Sequence, residues 1–70
     1  MKVGDNITII PSEDLSELLL SELIFRTGII TEIKLANGLL VKGAWVELDG
    51  DPYLNEIEWY IPINSILVNS

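Results

Sequence analysis

The stretch that most constrains this chain is Thr27 to Leu48, T-G-I-I-T-E-I-K-L-A-N-G-L-L-V-K-G-A-W-V-E-L, in which Asn37-Gly38 separates two runs rich in β-branched residues. A two-residue type I′ turn needs positive φ at both central positions. Asn and Gly adopt it at little cost, so the pattern predicts a β-hairpin. Counting outward from that turn sets Ile29 opposite Val46, Thr31 opposite Ala44 and Ile33 opposite Lys42. Alternation along a strand then places Ile29, Ile33, Val46 and Leu48 on the core face. The second face carries Ile30 opposite Trp45, Glu32 opposite Gly43 and Lys34 opposite Val41. Lys42 falls on the core side near the turn, its stem along Ile33 and its ammonium reaching water. Gly43 in mid-strand marks a bulge, a bend or a close backbone approach. A long hairpin bent there is expected to curl into a small closed barrel.

The flanking segments fit that expectation. Gly4-Asp5-Asn6 has turn chemistry, and Ile7 and Ile9 share one face of a first strand that Pro11 ends. Ser12 is a good N-cap, with Glu13 and Asp14 suited to the positive end of a helix. Leu15, Leu18, Leu19 and Leu23 then follow at helical spacing. A short helix, or helical turns, is expected from about Glu13 to about Leu20 with Ile24 as its outer limit, packed across an open end of the barrel. Asp49 to Asn55 is a loop of turn dipeptides. Glu56 to Ile61 is a fourth strand with Ile57, Trp59 and Ile61 inward and Glu56, Glu58 and Tyr60 outward. Pro62 to Ser65 suits a 3₁₀ turn, and Ile66 to Val68 a short closing strand. The fold class is mainly β: five strands in one domain over residues 1–70, with the helical segment in the first long loop.

This order of elements resembles the Src-homology-3-like barrel. V-G-D-N-I-T-I at 3–9 and T-G-I-I-T-E-I at 27–33 look like the opening and the Gly-containing strand of KOW-type small barrels. W-Y-I-P-I-N-S-I at 59–66 is similar to the strand, Pro, 3₁₀ turn and last strand that finish Src-homology-3 domains. The resemblance implies a five-stranded Src-homology-3-like barrel. Such barrels host peptide binding, RNA binding and subunit packing alike, so function does not follow from the layout. The acidic first loop lacks the Tyr-rich pattern of Src-homology-3 peptide sites, and most cations of a KOW-type nucleic-acid binder are missing. Neither family's functional residues carry over.

Eleven carboxylates face four cations, for a net charge of −7. Nucleic-acid binders neutralise phosphates with Lys and Arg, so direct nucleic-acid binding is disfavoured. The acidity instead keeps soluble a chain that is 49% apolar. The longest apolar runs are three residues, far below the ~20 of a membrane helix. Met1 to Asp5 has no export pattern, and cysteine is absent, so a cytoplasmic protein without membrane contact is expected. Asp49, Asp51, Asn55 and Glu56 are oxygen donors close in sequence, but they lack the EF-hand spacing and read as a polar turn. No metal or cofactor is expected. With no His or Cys, the usual nucleophile–base pairs are missing, which argues against an enzyme. Trp59 is expected in the core. Trp45, Ile30 and Val41, with Tyr60 or Tyr53 nearby, form the candidate patch for a protein partner or a second copy. Two alternatives stand beside that reading: an acidic mimic of nucleic acid, and an accessory structural subunit of a larger complex.

Overall fold

A computed structural model describes residues 1–34 and 42–69. The expected Asn37-Gly38 turn and Val41 lie outside the described residues. Five antiparallel strands form one sheet in the order β4-β3-β2-β1-β5: β1 (Asn6–Ile9), β2 (Thr27–Lys34), β3 (Gly43–Leu48), β4 (Glu58–Pro62) and β5 (Ile66–Val68). A helix α1 (Glu13–Glu17) and a 3₁₀ turn (Ser21–Leu23) lie between β1 and β2. A second 3₁₀ turn (Ile63–Ser65) joins β4 to β5. Among the described residues no helix is long and apolar enough to cross a membrane.

The sheet is curled but not closed, which corrects the expected closed barrel. β4 and β5 are the two ends of the strand order, yet only Ile63–Ser65 separates them in the chain. Five flat strands would put the edges ~19 Å apart. Four peptide steps reach at most ~14 Å, and less in a 3₁₀ turn. The connection therefore forces the edges toward each other, and the concave face encloses the core. Ile7, Ile9, Ile30, Val46 and Ile61 are all fully buried there. α1 packs against β4 and the second 3₁₀ turn.

Ser12 caps α1: its Oγ accepts from the Leu15 N–H at 3.1 Å and lies 2.5 Å from Oγ of the buried Ser65. Asn64 adds a bond from its side-chain amide to Asp14 Oδ2 at 3.1 Å. The start of the helix is thus tied to the second 3₁₀ turn. The helix ends earlier than expected. Leu20 N–H donates to Leu15 O and Leu19 N–H to Ser16 O, the two bonds of a Schellman motif. Leu19 occupies its left-handed position at φ 60°, where Gly is the usual residue. Leu15 and Leu20, on either side of the motif, both reach the core.

The main departure lies in β2. Ile30 pairs with Val46 and Glu32 with Trp45, leaving Thr31 as an unpaired bulge. Beyond the bulge the register is two residues from the expected one, so parity is kept and Ile33 still packs on the core. Before the bulge it is one residue off, which turns every side chain over. Ile30 is therefore fully buried, and Ile29, expected in the core, is 40% exposed. Lys42 is exposed, consistent with an ammonium that reaches water. β3 itself keeps its expected faces, with Ala44, Val46 and Leu48 inward.

A second bulge lies where β2 begins. Phe25 N–H donates to Ile9 O, while Ile9 N–H donates to Arg26 O. Two residues thus oppose one, with Phe25 in the left-handed region at φ 69°. The Asp49–Asn55 loop contains a tight hairpin: Tyr53 and Glu56 exchange both backbone bonds around Leu54 and Asn55, at φ 51° and 67°. Arg26 holds this region by donating to the carbonyls of Asp49 and Asp51.

Candidate functional site

Residues directly opposite in an antiparallel ladder share a face. The pairings therefore set out the outer face in rows. One row runs Glu32, Trp45, Tyr60; the next runs Ile29, Glu47, Glu58; a third runs Lys34, Gly43, Pro62. Trp45 and Tyr60 meet edge to face, with ring centroids 5.5 Å apart, a favourable arrangement of ring quadrupoles. Acidic side chains border this pair on two sides. Thr31, displaced by its bulge, donates its hydroxyl to Glu58 Oε2 and so fixes that carboxylate.

β4 is the end strand of the sheet, so side chains from both its faces reach the edge. Trp45, Glu58, Trp59, Tyr60, Leu18 and Leu20 line a pocket of about 340 Å³ there. Trp59 comes from the core face, opposite Val46. Its indole N–H donates to Glu56 O at 3.0 Å, and its ring packs on Tyr53 at 5.3 Å. Leu18 and Leu20 come from the Schellman turn. The pocket is large enough for a peptide side chain or two, and it is almost wholly apolar apart from one carboxylate.

The five residues singled out in the sequence separate in the structure. Trp45 and Tyr60 come together in the pocket. Tyr60 was expected to point into solvent and shares the outer face, but is only 8% exposed. Tyr53 supports Trp59 from the side. Ile30 is no part of an exposed patch, because the Thr31 bulge turns it into the core. Val41 lies outside the described residues. Trp59, expected in the core, is half-buried and lines the pocket. Leu18, Leu20 and Glu58 were missed. The available signal was the run Leu18-Leu19-Leu20: three consecutive leucines cannot all lie on one face of a short helix.

Burial raises the Tyr60 phenol above its ordinary range, and the Lys34 ammonium nearby partly opposes that. Lys34 is itself raised, first by its hydrogen bond to Glu32 and then by that charge, with Nζ 2.9 Å from Glu32 Oε2. A group whose folded pKa exceeds its unfolded value contributes stability that is complete below the unfolded value and lost as pH rises through the folded one. In a Tyr53→Phe variant, tyrosinate absorbance should therefore appear only above pH ~10. The urea midpoint should fall with pH across the same window. Ionisation of the folded Tyr53→Phe variant at or below that pH would show Tyr60 to be solvated.

No protein-family model, curated protein or solved structure matches this chain.

Proposed function

We propose that this chain is a non-enzymatic interaction module that docks a segment of a partner protein in the pocket beside β4. The observation that carries the reading is the open, aromatic-walled pocket at a sheet edge, whose wall includes Leu18 at 39% exposure. Large apolar side chains clustered around a concavity gain most when a partner removes them from water. The strand order, with a 3₁₀ turn before the last strand, supports a Src-homology-3-like layout, within which peptide docking is one common use. The carboxylates are distributed over α1, the loops and the outer face, which supports a solubility role over imitation of phosphate rows.

Selection from a display library of random peptides tests the reading. Enriched peptides should bind the native chain and shift the indole N–H signals of Trp45 and Trp59. They should bind Leu18→Gln at least about tenfold more weakly, a ~1.4 kcal/mol loss from putting an uncharged polar side chain in an apolar wall. Leu18 is exposed enough for that variant to fold. Failure to enrich any peptide, or equal binding by Leu18→Gln, would remove the reading.

A further inference from the structure

We infer that the occupant of this pocket is a cationic, apolar peptide segment whose Lys or Arg side chain lies against the Trp45–Tyr60 pair and reaches the carboxylates of Glu58 and Glu47. The inference rests on the docking function proposed above and names the chemistry of the partner.

Charge complementarity selects this occupant. Glu47 and Glu58 are directly opposite on neighbouring strands, and like charges in that position repel. Both are exposed. Thr31 satisfies one oxygen of Glu58 and supplies no positive charge. A cation bridging the two carboxylates would turn that repulsion into attraction. Lys34 is the cation on this face among the described residues, and it is held by Glu32 at 2.9 Å, one row beyond the aromatic pair. The aromatic rings beside the carboxylates favour the same charge, because ring faces attract cations and the methylene stem of Lys or Arg packs against them. A net charge of −7 steers basic segments inward and repels a second copy of this chain.

The apolar half of the occupant is set by the Schellman turn. Leu19 sits at φ 60° with 83% of its surface in water. The left-handed conformation is unfavourable for a residue with a Cβ. The fold thus holds a large apolar side chain exposed between Leu18 and Leu20 in the chain, the two leucines that line the pocket. An apolar residue next to the partner's cation would cover it.

The display selection, run with the native chain and with a Glu47→Gln, Glu58→Gln double variant, tests the inference. Peptides enriched on the native chain should be net positive, with Lys or Arg adjacent to a large apolar residue. They should bind the double variant about fivefold or more weakly, as expected for two partly exposed ion pairs. Their affinity should also fall as salt rises from 0.05 to 0.5 M (about a tenfold span). Enriched peptides without cationic bias, or unchanged binding by the double variant, would overturn the inference while leaving the docking function intact. Absence of any enriched peptide would overturn both. Concentration-dependent shifts of the Trp45 and Trp59 indole signals without peptide would show a second copy in the pocket, and would overturn it too.

Discussion

Ile30→Ala should lower the free energy of unfolding by about 2–4 kcal/mol, and Ile29→Ala by less than about 0.5 kcal/mol. The two residues are neighbours with the same side chain, so propensity and composition cancel in the comparison. What differs is burial: Ile30 is fully enclosed and Ile29 is 40% exposed. A chain of this length has roughly 4–10 kcal/mol of stability, so Ile30→Ala should leave a clearly shifted urea transition at pH 7. If the two costs were equal or reversed, the Thr31 bulge would not exist as described.

Gly43→Ala should be at least as damaging, at about 2–4 kcal/mol, through overpacking rather than a cavity. A Cβ at Gly43 would press on the Ile61 carbonyl and stand 3.0 Å from Cα of Pro62. Those atoms belong to the backbone of β4 and cannot swing aside as a side-chain end can. The β3–β4 ladder would have to open, and the aromatic pocket with it. Gly50→Ala is the control. Gly50 has φ 83° but open space around it, so its cost should be conformational, at about 1 kcal/mol. Urea midpoints of the two variants, with the Trp45 and Trp59 indole signals as local reporters, separate the mechanisms. Equal losses would mean that the close approach at Gly43 is relieved cheaply.

The sequence and the structure agree where a local rule decides. Ser12 has the short hydroxyl of an N-cap and caps α1. Pro62 ends the donor pattern of β4, and a 3₁₀ turn follows. Ile7 and Ile9 alternate cleanly and are buried. Gly43 signalled a close approach, and one is found. The misreadings share a cause: left-handed or bulged backbone at residues whose identity does not announce it. Leu19, Phe25, Leu54 and Asn55 all have positive φ, yet only Asn advertises it. The early end of α1 and the tight hairpin at 53–56 were hidden for that reason. Thr31 is an ordinary strand residue with nothing local to mark a bulge. The register was counted from a turn, and one extra residue is enough to exchange Ile29 and Ile30. The same slip misplaced Ile30 in the candidate site. Trp45 and Tyr60, both expected on outward faces with Tyr60 or Tyr53 near Trp45, are paired directly across the β3–β4 ladder, which has no bulge. The pocket itself depends on where the Schellman turn sets Leu18 and Leu20, a tertiary relation that periodicity does not encode.

The position of β1 between β2 and β5 bears on the order in which the chain assembles. Ile7 pairs with Gly28 on one side and with Val68 on the other. Closing the second loop, roughly threefold longer, costs about 1 kcal/mol more in chain entropy. The meander β1 to β4 is therefore the natural early product, with β5 zipping on last along an edge of β1 that stays open until then. Contacts made by β5 then govern how fast the finished protein comes apart more than how fast it forms. During refolding, that open edge is the place where two chains meet.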